Sequence, residues 1–359
     1  MAMKHGGDIY GPEKIRLDFS VNISPAGIPE EVFPALERSK DALTQYPDPD
    51  CRALRRAISD FAGVPARKIL CGNGASELLL SAVEAIAPRT VLLSAPCFSG
   101  YERAARAAGA QVLRHYTRRE EDFALTDRFL ADLDRRPDMV ILCSPGNPVG
   151  SRIPPALMHR IAAQCAAQGT WLMADECFLD LTQAPEDHTM RRFLDAEGIG
   201  RRLLVLDAFT KKFAMPGIRL GYLMAGDEKI LETIALRQPE WSVSVPAQTA
   251  GCAALENAGD YLEKARIMTA AGRRQMEKAL TEMGCTVYPG DANYLFFSAP
   301  AEVAAPLLRE GILIRDCSGY PGLRQGDYRA AVRRSEENEV LLKQLKAVLA
   351  RKGEGRDGT

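Results

Sequence analysis

Short runs of apolar residues alternate with longer amphipathic stretches through the middle of the chain. The apolar runs have no polar alternate face, which is typical of parallel strands buried on both sides of a sheet. They lie at residues 68–71, 91–93, 139–143, 171–174 and 203–206. The stretches between them, such as residues 76–86 and 155–168, have helical spacing. This alternation predicts an α/β fold with a mainly parallel sheet sandwiched by helices.

The pattern changes in the last third of the chain. Residues 247–283 are helical in composition, and we expect Gly259 to break or bend the helix. Predicted strands at 286–288, 294–298, 312–314 and 328–332 then mix with predicted helices at 302–309 and 336–349. This mixture indicates a smaller α+β domain. We therefore expect a large domain at 46–246, a small domain built from 1–45 and 247–350, and a flexible tail at 351–359.

Composition is that of an ordinary globular protein, with 46% hydrophobic and 26% charged residues among 359. The 46 basic and 47 acidic side chains give a formal net charge of -1. This balance disfavours a duplex-binding protein, because the basic excess that neutralises nucleic-acid phosphates is missing. No stretch approaches the length of a membrane span, so we expect a cytoplasmic protein without nucleic-acid or membrane partners.

The cysteines and histidines narrow the chemistry further. The nine cysteines are scattered and include no C-x-x-C pair, which favours reduced thiols buried as small apolar groups. The four histidines include no pair at helical i, i+4 spacing. We therefore expect neither disulfides nor a metal site.

Polar residues follow several of the predicted strands. Glycines at 72 and 74 separate the first strand from a helix, where backbone N–H groups can close on a phosphate; a simple tight turn explains them equally well. Asn147 and Asp175 come after the third and fourth strands. The carboxyl ends of parallel strands are where open α/β sheets place ligand contacts. A helix cap and a Pro/Gly turn are the alternative explanations.

The most informative segment follows the fifth strand. Lys211 lies in an apolar loop bounded by glycine and proline, with Arg219 eight residues later. An apolar setting lowers the pKa of a lysine, as an amine nucleophile for carbonyl chemistry requires. The planar guanidinium of Arg219 suits a phosphate. Lys212 is the alternative amine.

These motifs occur in the order Gly-x-Gly, Asn-Pro-x-Gly, Asp-Glu and Thr-Lys, with the arginine last. Together they resemble the pyridoxal 5′-phosphate (PLP) enzymes of fold type I, aminotransferase classes I and II. The resemblance covers nearly the whole chain and implies a large cofactor domain and a small domain. It also implies that Lys211 binds the cofactor covalently, that Asp175 pairs with its pyridinium nitrogen, and that Asn147 hydrogen-bonds its ring hydroxyl O3′.

Further roles follow from the same resemblance. Phe98 would stack on the cofactor ring, and Tyr46 would reach the cofactor phosphate of a neighbouring subunit, which implies a homodimer. Phe178 stands where relatives have a tyrosine that bonds O3′, and Ala208 stands where they have a serine or threonine on the phosphate. Because Ala208 has no hydroxyl to bond the phosphate, we expect the cofactor to be held more weakly by roughly 1 kcal/mol. The remaining residues expected around the cofactor phosphate are Gly74, Ala75, Ser76, Thr210 and Arg219.

Two subfamilies compete within this resemblance: histidinol-phosphate aminotransferases and the threonine-phosphate decarboxylases of cobalamin biosynthesis. The segments at residues 5–8 and 17–27 are similar to those of the decarboxylases. That similarity implies decarboxylation of O-phospho-L-threonine, with O-phospho-L-serine as an alternative substrate. A non-catalytic ligand-sensing domain is disfavoured, because Lys211, Asp175 and Asn147 are all present.

The resemblance also suggests which residues bind the substrate. Arg329 matches the arginine that grips the α-carboxylate. Arg333 is its rival, since the two lie an even number of residues apart on a predicted strand and strand alternation does not separate them. The candidates for the substrate phosphate are His5, Asn22, Ser24 and Arg315.

Overall fold

The structure is a computed structural model that describes residues 6–300 and 302–354. Its strands are β1 (Leu17–Asp18), β2 (Ile69–Gly72), β3 (Thr90–Ala95), β4 (Gln111–Tyr116), β5 (Met139–Cys143), β6 (Trp171–Asp175), β7 (Leu203–Ala208), β8 (Gly221–Ala225), β9 (Thr286–Val287), β10 (Tyr294–Ser298), β11 (Ile312–Leu313), β12 (Arg315–Asp316) and β13 (Asp327–Ala331). Its α-helices are α1 (Val32–Arg38), α2 (Arg52–Ala62), α3 (Ala75–Ile86), α4 (Ser99–Ala107), α5 (Arg128–Leu133), α6 (Pro155–Gln168), α7 (Phe209–Lys212), α8 (Glu228–Ala235), α9 (Val245–Glu256), α10 (Ala258–Glu282), α11 (Ala304–Arg309) and α12 (Ser335–Glu354).

Seven strands form the main sheet, in the order β2-β8-β7-β6-β5-β3-β4. Only β8 runs antiparallel to its neighbours, β2 and β7. The five predicted strands are confirmed, and β5 has its predicted bounds. Two strands of this seven-stranded sheet were not predicted. β4 is an edge strand with several polar residues, and β8 lies within the segment that also carries the lysine and arginine motif.

Both faces of this sheet are buried, as the apolar runs predict. Along β5, Val140 and Leu142 face one apolar cluster, and Met139 and Ile141 face another. The first cluster is closed by α2, α6 and α9, and the second by α3, α4 and α8. The helices therefore cover the sheet on two sides, which leaves the ends of its strands as the place where polar groups can meet a ligand.

A four-stranded antiparallel sheet, β12-β13-β10-β9, packs with α10 and α12 around a third apolar cluster. Phe19 from the N-terminal segment belongs to this cluster.

The helical stretch is interrupted at Asn257, between α9 and α10, whereas Gly259 lies inside the first turn of α10. The expected break is thus two residues away from its predicted place. The domain boundaries at 46 and 246 remain a prediction.

Helix α12 runs to Glu354, beyond its predicted end at residue 349. Among the helices of residues 6–300 and 302–354, none combines the length and the apolar character needed to cross a membrane. All nine cysteines are free, and seven of them are buried.

Candidate active site

Three neighbouring strands bring the predicted chemical groups together. β5, β6 and β7 are adjacent and parallel, so their carboxyl ends lie at the same edge of the sheet. Asn147 follows β5, Asp175 ends β6, and Lys211 lies in α7 directly after β7. A backbone hydrogen bond of 3.0 Å from Ser144 to the carbonyl oxygen of Asp175 ties the first two segments to each other.

Lys211 has the environment of an amine nucleophile. Burial, together with the positive charges of Arg329 and Arg219, lowers the pKa of its amine to about 8. Its Nζ lies 6.0 Å from the ring centroid of Phe178. The backbone carbonyl of Lys211 accepts a 2.9 Å hydrogen bond from the amide of Ser24, so the N-terminal segment is fastened to the same turn.

Lys212 has the opposite environment. Its ammonium is almost fully buried and forms ion pairs with Asp180 and Asp207. Tyr222 lies 3.1 Å from the same nitrogen. The two carboxylates keep the pKa of Lys212 well above its ordinary value, although burial alone acts in the opposite direction. Lys212 is therefore held as a cation, and of the two lysines only Lys211 has a lowered pKa, as an amine nucleophile requires.

Asp175 is buried and held by two donors. The hydroxyl of Tyr101 donates to its Oδ2 at 2.6 Å, and the amide of Cys177 donates to its Oδ1 at 3.0 Å. These two bonds fix the direction of the carboxylate. A role for Tyr101 was not predicted from the sequence. The available signal was its position three residues after Phe98, at the start of a helix that follows a strand.

Asn147 and Arg329 meet across the two sheets. Arg329 Nη1 donates to Asn147 Oδ1, and Nη2 donates to the carbonyl oxygen of Ser20. The guanidinium carbon lies 5.4 Å from the ring centroid of Tyr294. Arg329 Nε is buried and has no hydrogen-bond partner among the described residues. A buried donor without a partner is costly, and an anionic ligand would satisfy it.

The structure separates Arg329 from its rival. β13 ends at Ala331, and Arg333 turns instead toward α12, where its Nη2 donates to Glu337 at 2.7 Å. Its Nη1 donates to the backbone carbonyl of Asp18. Arg333 is thus held by α12 and by strand β1, and of the two arginines Arg329 is the one that reaches Asn147.

The candidate substrate-phosphate residues are placed as follows. Arg315 is the direct cross-strand partner of Arg329, and its guanidinium carbon lies 5.4 Å from the ring centroid of Tyr320. Asn22 and Ser24 are buried, and Asn22 Oδ1 has no partner among the described residues. Arg315 also lines a cavity of about 770 Å³ together with Gly6 and Ser20. His5 lies outside the described residues.

The glycine turn and Arg219 form a cradle at the start of α3. Gly74 has a φ of +81°, and a Cβ placed on it would lie 2.7 Å from Arg219 Nη2. Arg219 itself is exposed, and its Nη1 donates to the carbonyl oxygen of Pro216 at 2.9 Å. The helix N-terminus and the guanidinium together suit a phosphate. Ala75 and Thr210 are half-buried, Ser76 is exposed, and Ala208 is buried.

Two aromatic residues complete the set of predicted cofactor contacts. Phe98 is half-buried and lies edge-on to Tyr101, with 5.5 Å between ring centroids. Tyr46 is 79% exposed, and its ring packs against Trp241 at 4.7 Å. Within this chain Tyr46 therefore faces outward. That position is compatible with a contact to a second subunit.

An amine with a lowered pKa, a fixed carboxylate and an anion cradle lie at one sheet edge, which is the arrangement expected of a PLP-dependent enzyme of fold type I. The sequence profile of the aminotransferase class I and II family matches residues 14–345, and the chain belongs to that family. The expected fold class and cofactor are thereby confirmed.

Individual relatives fall into both competing subfamilies. The chain is 35% identical to a protein named threonine-phosphate decarboxylase from Salmonella typhimurium, over 96% of each chain. It is 32% identical to a histidinol-phosphate aminotransferase of Desulfitobacterium hafniense, over 94% of this chain and 92% of the relative. The structure of the histidinol-phosphate aminotransferase from Clostridium acetobutylicum superposes with a TM-score of 0.86 at 26% identity, covering 93% and 99% of the two chains.

Proposed function

We propose that this protein decarboxylates O-phospho-L-threonine to (R)-1-amino-2-propanol O-2-phosphate and CO2. The observation that carries this proposal is the cross-strand pairing of Arg315 with Arg329. Both side chains are buried, and directly opposed residues of antiparallel strands share a face, with Cβ atoms about 5 Å apart. Two arginines on one face suit a substrate with two anionic groups, and O-phospho-L-threonine carries a carboxylate and a phosphate.

The relative with 35% identity supports this choice, since its name describes the same reaction. Histidinol phosphate, the phosphorylated substrate of the competing subfamily, carries a phosphate but no carboxylate, whereas glutamate, which an aminotransferase also binds, carries two carboxylates; the two assays below separate these cases. O-phospho-L-serine carries both groups and lacks only a methyl group, a difference worth about 1–3 kcal/mol in an apolar pocket. It is therefore the alternative substrate within the same proposal.

In this proposal, most of the residues at the sheet edge hold the cofactor. Lys211 is the point of covalent attachment, Asp175 faces the ring nitrogen, Asn147 faces the ring hydroxyl and Phe98 covers the ring. When bound, PLP supplies an electron sink for the charge that develops at Cα of the substrate. The residues that would hold its phosphate are Gly74, Ala75, Ser76, Thr210 and Arg219, with Tyr46 of a second subunit.

The remaining residues orient the substrate. Arg329 grips the α-carboxylate, and Arg315, with Asn22 and Ser24, binds the phosphate. With both anions held, the substrate cannot rotate about the bond to its nitrogen, and Arg329 would direct the carboxylate so that the bond from Cα to the carboxylate carbon is the one that breaks. CO2 would leave, and the electron pair of the broken bond would remain with the Cα fragment. The amine of Lys211, in its protonated form, would then deliver a proton to Cα.

Two assays on the purified holoenzyme test this function. The first supplies O-phospho-L-threonine and measures CO2; the second supplies histidinol phosphate with 2-oxoglutarate and measures glutamate. We expect CO2 in the first assay and no glutamate in the second. Glutamate without CO2 would replace the proposal by the aminotransferase assignment. CO2 from O-phospho-L-serine at a higher kcat/KM would change the substrate and keep the reaction.

A further inference from the structure

A cluster around Arg119 joins the edge of the main sheet to the four-stranded small sheet, and the hydrogen bonds of Arg119 involve none of the predicted cofactor residues. Arg119 begins a short 3-10 helix after β4, at the edge of the main sheet. Its guanidinium donates to Tyr288 Oη, to Ser298 Oγ at 3.0 Å and to Asp327 Oδ2 at 2.6 Å. All three acceptors belong to the small sheet or its approach. The guanidinium carbon also lies 5.0 Å from the ring centroid of Phe123.

The cluster leaves little freedom to Asp327. This carboxylate is fully buried, and it also accepts hydrogen bonds from Ser298 Oγ at 2.6 Å and from the amide of Arg324 at 2.9 Å. Ser298 ends β10 and Asp327 begins β13, and the two residues are cross-strand partners. Arg119 therefore fastens one end of the β10–β13 pair to the main sheet.

The other end of the same strand pair has its own fastening. Tyr294, paired with Ala331, donates its hydroxyl to the carbonyl oxygen of Gly146 at 2.8 Å. Arg329, paired with Phe296, lies midway between the two fastened ends. Since Arg329 is only two residues from Asp327, about 7 Å along a strand, a shift at Asp327 moves Arg329 with it.

The hydrogen bond between Arg329 and Asn147 cannot hold Arg329 in place during the reaction. Under the proposed function Asn147 turns to the cofactor and Arg329 to the substrate carboxylate, so their mutual hydrogen bond is given up when both ligands bind. The contacts of Arg119 involve neither residue and persist. We propose that Arg119 is a positioning residue: through Asp327 it holds β13 so that Arg329 meets the substrate carboxylate at a fixed place. This inference rests on the proposed function.

The test compares variants of the holoenzyme. Arg119→Met alone leaves a buried carboxylate without its partner, which can cost folding, so the main variant is the double substitution Arg119→Met with Asp327→Asn. Arg119→Lys keeps the charge but not the fork of donors. Arg114→Met is the matched control, because Arg114 lies in β4, has a similar side-chain exposure (24% against 25%) and pairs with Glu102 of α4, within the main sheet and its helices.

We expect the double variant to raise the KM for O-phospho-L-threonine at least ~10-fold, since small displacements of a binding group have effects of this order. The Kd of the double variant for PLP stays at the wild-type value. The KM of Arg119→Lys for O-phospho-L-threonine lies between those of wild type and the double variant. Inhibition by (R)-1-amino-2-propanol O-2-phosphate weakens by a smaller factor than substrate binding, because this molecule lacks the carboxylate that Arg329 binds and keeps only the phosphate, which Arg315 on the neighbouring strand shares with Asn22 and Ser24. Arg114→Met behaves as wild type.

An unchanged KM in a folded double variant would overturn the inference. So would an equal weakening of substrate, product and PLP, which indicates a purely structural role. A wild-type protein that releases no CO2 would instead overturn the proposed function. In that case the same variants are compared by their KM for glutamate in the aminotransferase assay, because glutamate also presents an α-carboxylate to Arg329.

Discussion

Two adjacent lysines in this protein have opposite electrostatic environments. Lys211 lies among cations and has a pKa lowered to about 8, whereas Lys212 is enclosed by Asp180 and Asp207. Because both residues are lysines, the difference in pKa cannot come from the type of side chain. It comes from alternation of direction within one helical turn, which points one side chain to the ligand edge and the other into the protein.

This contrast predicts different losses on substitution. Lys211→Ala removes the covalent attachment of PLP and leaves the free energy of unfolding close to that of wild type. Lys212→Ala leaves two buried carboxylates without their cation and lowers the free energy of unfolding by about 3–5 kcal/mol. Visible absorbance after incubation with PLP and urea denaturation measure the two effects. A Lys212→Ala protein that folds normally but cannot bind PLP covalently would reverse the assignment.

Glu176, next to Asp175, makes stability depend on pH. Its carboxyl accepts hydrogen bonds of 2.6 Å from Thr189 Oγ1 and from the amide of Met190, with Arg191 at 3.9 Å. Burial nevertheless raises the pKa of Glu176 from 4.5 to about 7. Between these two values the folded state binds more protons than the unfolded state, so the free energy of unfolding falls as pH rises, by at most about 3 kcal/mol.

We therefore expect Glu176→Gln to flatten the decline in stability between pH 4.5 and 7. Urea denaturation at several pH values, taken as the difference between wild type and variant, isolates this contribution from other titrating groups. Glu186→Gln, at an exposed position of the same segment, is the control and keeps the wild-type profile. Parallel profiles for wild type and Glu176→Gln would show that Glu176 is ionised across this range.

The turn between β2 and α3 depends on a glycine for two separate reasons. Gly74 needs a positive φ, and any Cβ there would meet Arg219. Gly63, which ends α2, has a φ of +66° but no atom within 4 Å of a Cβ. Alanine at Gly63 costs about 1–2 kcal/mol for the left-handed backbone conformation. Gly74 has a φ of +81° and a ψ of +163°, a conformation open essentially to glycine alone, so Gly74→Ala adds a larger backbone strain as well as the collision.

We expect Gly74→Ala to raise the Kd for PLP at least ~10-fold, because the displaced guanidinium is the charged partner of the phosphate. Gly63→Ala lowers the free energy of unfolding by about 1–2 kcal/mol and leaves the Kd unchanged. Fluorescence or absorbance titration of the apoenzyme with PLP measures both. Equal Kd values for the two variants would show that Arg219 does not need the space above Gly74.

The sequence predicts strands and helices best where a strand is buried on both faces or a helix has a regular apolar spacing. β5 and α6 have their predicted bounds, because an uninterrupted apolar run and a regular helical spacing are local properties. β4 was missed because an edge strand is partly exposed and carries Gln111, Arg114 and His115. The helix break at Asn257 was placed at Gly259, since an exposed glycine is tolerated in the first turn of a helix.

For the molecule as a whole, the outward position of Tyr46 bears on the expected homodimer. If Tyr46 contacts the cofactor phosphate of a second subunit, Tyr46→Ala and Lys211→Ala proteins complement each other. A mixed dimer contains one site that combines an intact Lys211 with an intact Tyr46 from the partner, and it regains wild-type PLP affinity at that site. Sedimentation analysis measures the oligomeric state, and we expect a dimer. The absence of any regained affinity after subunit exchange would place Tyr46 in the site of its own chain.

The types of chemical group and their order along the chain follow from local pattern. Lys211, Asp175 and Asn147 could be predicted at strand ends because strand periodicity and the motifs around these residues involve near neighbours in sequence.

The choice between Arg329 and Arg333 could not be predicted from the sequence, since both residues fit the same strand alternation. The positions of the two side chains depend on where β13 ends and on the contact of Arg333 with Glu337 of α12, and both exist only after strands pair in one register. The link from Arg119 to Asp327 spans 208 residues and has no local signature at all. Long-range pairing thus decides which of several plausible side chains reach the site, because it depends on the packing of the whole chain.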